Sequence, residues 1–185
     1  SIPFGYIFYK IIKKDDIRKY GSGNIGATNV NRLIGKKFGF ITLFLDFLKT
    51  FCPCLIMHKY FGTEVGVVSG FLTILGHIYP IWLKFKGGKG VASYMGFMLA
   101  TSWPLFIVLI ITWLVIVKIF KYSAVAAIIS ILINLITFKI ILFTQFKYNI
   151  LLWIKGDPIE FQFILFISII ILIKHYTNVI NIFKK

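Results

Sequence analysis

Long apolar runs separated by short polar turns occupy most of the chain, and the length of each run carries the first inference. Residues 38–57, 65–83 and 123–146 can each cross a bilayer as a helix, which takes ~20 apolar residues. The run from Val91 to Val117 is too long for one such helix. Trp103-Pro104 divides it, because the residue before a proline resists helical geometry, so the pattern predicts short spans over 91–102 and 104–119. A first span over 2–12 and a last over 161–174 complete an all-α integral membrane bundle of about seven helices, one domain over residues 1–185. The opening Ser1-Ile-Pro-Phe-Gly-Tyr-Ile-Phe-Tyr reads as the later part of a membrane segment, so the first helix is expected to be truncated.

Two polar interruptions carry chemistry. Residues 76–92 end an apolar run in the basic turn Lys84-Phe85-Lys86-Gly87-Gly88-Lys89-Gly90. Glycines let an anion approach backbone N–H groups, and a helix starting at Val91 would add its own free N–H groups and dipole. Lys84, Lys86 and Lys89 supply mobile positive charge, which makes the turn a candidate phosphate or carboxylate cradle. A juxtamembrane basic turn that only sets topology fits the same residues. A Walker A loop does not, because Val91 follows Lys89-Gly90 where Ser or Thr is required. The second interruption runs from Lys13 to Lys37 and contains Gly21-Ser22-Gly23-Asn24-Ile25-Gly26-Ala27-Thr28-Asn29-Val30-Asn31-Arg32. Asn24, Thr28, Asn29 and Arg32 suit an ordered loop packed around a polar ligand better than a solvated spacer.

Composition strengthens the membrane assignment and narrows the partners. Hydrophobic residues make up 58% of the chain and the mean hydropathy is +0.87, beyond an ordinary soluble domain. The 21 Lys and Arg against 6 Asp and Glu give a net charge of +15. The cations sit in short loops between runs too apolar for a groove-binding face, so the charge points to anionic lipid and anionic substrates and not to nucleic acid. Placing Lys10–Lys37 in the cytoplasm puts Lys84–Lys89, Lys118–Lys121 and Lys174–Lys185 on that side too, with Lys59, Lys139, Lys147 and Lys155 opposite. Ser22 to Arg32, the Lys84–Lys89 turn, Ser123, and His175 with Asn178 then converge on one cytoplasmic face.

That set is rich in donors and poor in acids. Arg32 could grip a phosphate bidentately while Lys89 neutralises it. His175 and Asn178, three apart, share a face if the tail is helical. His77 lies beside the cradle and fits either a structural hydrogen bond or proton transfer. Asp46 and Lys49, also three apart, read as an ion pair inside the bundle. The carboxylates are not arranged as a hydrolytic dyad, and neither a metal ligand set nor a nucleophile elbow is present. Cys52 and Cys54 read as packing residues.

These motifs resemble the bacterial acyl-phosphate:glycerol-3-phosphate acyltransferases of the PlsY type. The resemblance runs through Ser1-Ile-Pro-Phe-Gly5, Gly21 to Arg32, Gly76-His77, Leu83 to Ala92, Tyr122-Ser123 and His175-x-x-Asn178. It implies a seven-helix enzyme of the bacterial cytoplasmic (inner) membrane, multi-pass, with its active site facing the cytoplasm. That enzyme would move a fatty acyl group from acyl phosphate to the sn-1 hydroxyl of glycerol 3-phosphate. Lysophosphatidic acid and phosphate are the products, without metal or other cofactor, and the chain is expected to work as a monomer. Ser22, Arg32, Lys89 and His175 are the implied catalytic residues. Ser22, Asn29, Arg32, His77, Lys84, Lys86, Gly87, Gly88, Lys89, Ser123, His175 and Asn178 are the implied substrate-binding set, with His77 ordering the pocket. Because a mixed anhydride is already activated, alignment and charge stabilisation suffice. The hydroxyl proton is expected on a substrate phosphate oxygen or on His175. Ile25 stands where the family usually has proline, and Tyr176 where arginine commonly follows the histidine. The rival readings are a small organic-anion or phosphate transporter and a basic membrane scaffold. The first would need a midplane site in repeated halves, and the second leaves the Gly21–Arg32 loop unexplained.

Overall fold

The computed structural model describes residues 1–183, except for the side chains of residues 177, 179 and 181–183. Every regular element among them is helical: α1 (Phe4–Lys13), α2 (Ala27–Ile34), α3 (Lys36–Phe61), α4 (Thr63–Ile78), α5 (Val91–Thr101), α6 (Trp103–Phe120), α7 (Ser123–Tyr148) and α8 (Pro158–Phe183). Single 3-10 turns lie at Ile17–Lys19 and Ile81–Leu83. Five stretches are long and apolar enough to cross a membrane, namely Lys36–Phe61, Thr63–Leu83, Trp103–Phe120, Ser123–Tyr148 and Pro158–Tyr176, and Val91–Thr101 is a shorter apolar helix.

The helix ends follow local chemistry. The division of the long central run falls at Ser102, which is extended (φ −147°, ψ 101°), and Pro104 then sits in the first turn of α6, where no intrahelical donor is needed. Three boundaries differ from the apolar pattern. α4 stops at Ile78 because Pro80 forces Tyr79 out of helical geometry (φ −125°, ψ 59°). The polar segment before α3 is not loop throughout, since α2 forms once Gly26 has turned the chain. α8 continues through the residues that read as a polar tail, because neither glycine nor proline follows Pro158 to interrupt it. The last two residues of that tail, Lys184 and Lys185, lie outside the described residues.

α3 packs against α4 and α5, α6 against α7, and α7 against α8. Their shared core includes Ile74, Tyr94, Phe97, Leu105, Phe138, Ile164 and Ile171. Phe40, Ile111, Ile136 and Phe166 point outward and are exposed, as a lipid-facing surface requires. A smaller apolar cluster, Tyr9, Ile17, Ile25, Val30 and Leu83, ties α1, the polar loop, α2 and the 3-10 turn after α4 together. Ile25 is 1% exposed there, so its side chain supplies burial at the position where the family pattern has proline. The same junction is held from the polar side by Arg18. Its guanidinium forks onto the Asp16 carboxylate at 2.6–3.0 Å and donates to the Leu83 carbonyl at 3.3 Å.

Candidate active site

Two polar turns are shaped by specific side chains before they bring anything to the site. In the first, Asn29 donates from Nδ2 to the carbonyls of Tyr20 (3.1 Å) and Asn24 (2.8 Å), and its Oδ1 accepts from the Ser22 N–H (3.0 Å). One side chain thereby satisfies three backbone groups and folds the loop over the start of α2. Gly21, at φ +61°, lies so close that a Cβ would overlap Asn29 Oδ1. In the second turn, the N–H groups of Gly87 and Gly88 donate back to the carbonyls of Ile78 and His77, each at 3.1 Å. A Cβ on Gly87 would overlap the His77 carbonyl, and one on Gly88 would overlap the His77 ring. Gly90, at φ +88°, then caps the start of α5, where a Cβ would come within 3.0 Å of Ile78 of α4 and 3.4 Å of Ile171 of α8.

This folding gathers eight of the sequence-derived candidates around one cavity of about 320 Å³: Ser22, Asn29, Arg32, His77, Lys89, Ser123, His175 and Asn178. Lys84 and Lys86 are exposed and lie outside its lining, as do Gly87 and Gly88, whose part is to let the turn close against α4. Asp46 of α3 also lines the cavity, although its spacing to Lys49 pointed to a structural pair. It is both, since Lys49 Nζ lies 2.6 Å from Asp46 Oδ1. The opposite end of the cavity is apolar, walled by Leu43, Met95, Ile110, Trp113, Leu114 and Ala127. Those residues carried no sequence signal, because apolar positions in a membrane helix look alike whether they face lipid, a neighbour or a ligand.

The polar end is built for anions. Lys89 Nζ is buried and has no hydrogen-bond partner among the described residues. Burial without a counter-charge pushes its ammonium down from the usual 10.5 to about 8. Three helices start at the cavity, α2 with Ala27 and Thr28, α5 with Val91 and Ala92, and α7 with Ser123 and Ala124. None of the three has a side-chain N-cap, so their first-turn N–H groups and dipoles are available to a negative ligand. Only the α5 start was legible from glycine spacing. On α8, His175 Nδ1 lies 2.8 Å from the Ile171 carbonyl, which can only accept, so the ring proton is on Nδ1 and Nε2 keeps its lone pair.

Comparison with known proteins agrees with a pocket for phosphorylated substrates at a membrane. Residues 1–185 match the profile of the glycerol-3-phosphate acyltransferase family. The glycerol-3-phosphate acyltransferase of Bartonella henselae is 39% identical over 184 residues, covering 97% of this chain and 81% of that protein. A crystal structure of PlsY, an integral membrane glycerol 3-phosphate acyltransferase, in its glycerol 3-phosphate form superposes with a TM-score of 0.86 at 34% identity, covering 99% of this chain and 86% of the other. The lysophosphatidic acid form of PlsY gives a TM-score of 0.83 at 33% identity, covering 99% and 85%. The chain therefore belongs to the glycerol-3-phosphate acyltransferase family, membrane enzymes that acylate glycerol 3-phosphate.

Proposed function

We propose that this acyltransferase uses acyl phosphate as donor and binds both substrates in the 320 Å³ cavity, with the polar end facing the cytoplasm of a bacterial inner membrane. The observation that carries the proposal is the buried Lys89, without a partner among the described residues, set among three uncapped helix starts in a cavity that also has an apolar wall. Both substrates carry phosphate and the donor also carries an alkyl chain, so both ends of the cavity are accounted for. The Lys-rich segments at the polar end support the cytoplasmic orientation.

Arg32 and Lys89 hold phosphate oxygens, and the α5 and α7 starts with Ser123 complete the cradle. The sn-1 hydroxyl oxygen attacks the acyl carbonyl carbon, forming the ester C–O bond. The bond from that carbon to the phosphate oxygen breaks, and phosphate leaves with the electron pair. The hydroxyl proton passes to His175 Nε2 and from there to the departing phosphate. Replacing His175 with glutamine keeps polarity and removes that proton acceptor, so turnover should fall roughly ten- to a hundred-fold and its pH profile should change. Unchanged turnover with an unchanged pH profile would move the proton to a substrate phosphate oxygen instead.

Phosphate release from palmitoyl phosphate by the protein in lipid tests the assignment. Release that requires glycerol 3-phosphate and yields lysophosphatidic acid supports it, and no release from folded protein overturns it. The groove makes a further prediction. Ala127 is 2% exposed and lies on its wall one turn into α7, so Ala127→Phe should narrow it. Turnover with a long acyl donor should drop by about ten-fold or more relative to a short one, through KM.

A further inference from the structure

Asp46, Lys49 and His77 form a buried polar group between α3 and α4, with Asp46 and His77 lining the cavity and Lys49 behind them. Each donor of the Lys49 ammonium has an acceptor: Asp46 Oδ1 at 2.6 Å, the Ile2 carbonyl at 3.1 Å, and His77 Nδ1 at 2.6 Å. An ammonium has no lone pair, so the short contact to Nδ1 requires that nitrogen to be unprotonated. An imidazolium there would set N–H against N–H and put a second positive charge beside the first. The ring is therefore neutral, with its proton on Nε2.

The Nε2 edge faces Gly88, where a Cβ would overlap it, in the turn that carries Lys89. It makes no hydrogen bond to protein among the described residues. Asp46 Oδ1 lies 3.6 Å from Nδ1, too far to bond it while Lys49 is between them. Without Lys49 the carboxylate would draw the ring proton to Nδ1 and present an Nε2 lone pair to the anion site, where it would repel phosphate.

We propose that Lys49 is a positioning residue for acyl transfer, holding His77, which lines the cavity, as a neutral imidazole with an Nε2–H donor beside the turn that carries Lys89. The proposal rests on the cavity being the substrate site. His77 is then a fixed donor to a phosphate oxygen, and Lys49 acts only through it.

Nitrogen-15 NMR of histidine-labelled protein in detergent, with His77→Gln used to assign the signals, reads the tautomer directly. The wild type should show an unprotonated Nδ1 and a protonated Nε2 at neutral pH. A His77 protonated on Nδ1, or on both nitrogens, overturns the proposal without any variant. Lys49→Met should lower kcat/KM for glycerol 3-phosphate roughly ten- to a hundred-fold, yet cost nothing further in a His77→Gln background. If Lys49→Met folds and keeps both the Nε2–H tautomer and wild-type turnover, the proposal fails. Because that variant leaves a buried carboxylate unpaired, the wild-type tautomer is the test that stands if it does not fold. Failure of the cavity assignment looks different: Lys89→Ala would retain turnover whatever the tautomer of His77.

Discussion

Lys89→Ala is expected to lower turnover by roughly a hundred- to a thousand-fold while leaving the melting temperature unchanged or higher. The two halves of that result have one cause. Lys89 holds its ammonium in a buried position with no partner among the described residues, an arrangement that costs solvation and returns nothing to folding. A charge kept at such a cost is useful only when an anion arrives. Most buried charges behave oppositely, because their removal strands a partner; Asp46 opposite Lys49 is an example within the same cavity wall. Phosphate release from palmitoyl phosphate and a thermal melt on one preparation check both halves. A variant that loses turnover by unfolding would make Lys89 structural.

The displaced pKa adds a pH signature. Lys89 loses its proton around pH 8 in the empty site, where an ordinary lysine would hold it to about 10.5. On the proposed function the charged form is the one that binds phosphate, and binding would pull its pKa back up. The kcat/KM for glycerol 3-phosphate should therefore be flat below about pH 8 with respect to this group, then fall as pH rises through it. The stability term has the reverse sign. Because the folded pKa lies below the unfolded one, the cost of Lys89 is present below about pH 8 and is relieved as the group neutralises between there and 10.5. Lys89→Arg, which stays charged throughout, should remove the alkaline fall in kcat/KM if it folds and binds.

The polar half of the site was legible in the sequence because membrane helices make polar residues conspicuous. Ser22, Arg32, Lys89, Ser123, His175 and Asn178 stand out against apolar surroundings, and the positive-inside pattern places them on one side before any fold is known. Lys84 and Lys86 show the limit of that reasoning. Charge and proximity grouped them with Lys89, but positive φ at Lys84 and Phe85 turns this stretch outward, and both lysines are exposed outside the cavity lining. Asn29 shows another limit. It lines the cavity as its residue type suggested, but nothing in the sequence pointed to the three backbone hydrogen bonds with which it also folds the loop around the site. The apolar groove was invisible for a deeper reason, since Met95, Trp113 and Ala127 differ from lipid-facing residues only in what packs against them.

Gly96→Val is expected to destabilise the protein by about 3 kcal/mol or more and to remove most folded enzyme. Gly96 lies in the middle of α5, where the sequence marks it only as a helical glycine. A Cβ there would overlap the Phe47 carbonyl and come 3.1 Å from the Phe51 nitrogen, both backbone atoms of α3 that no rotamer change can move aside. One turn earlier, Ser93 Oγ donates to the Asp46 carbonyl at 3.0 Å, so the same seam joins the helix that begins at the Lys89 cradle to the helix that carries Asp46 and Lys49. Gly35→Ala supplies the scale: nothing lies within 4 Å of a Cβ there, and only its φ of +96° resists the change, a penalty of roughly 1–3 kcal/mol. Melts of both variants in detergent, with kinetics on the folded fraction, separate packing from chemistry. For Gly96→Val, residual activity should track folded protein with KM little changed, whereas Lys89→Ala stays folded and inactive. A Gly96→Val protein that melts like wild type would mean that α3 and α5 are not in backbone contact. The close approach that sets the cradle beside the Asp46 wall would then have to come from elsewhere.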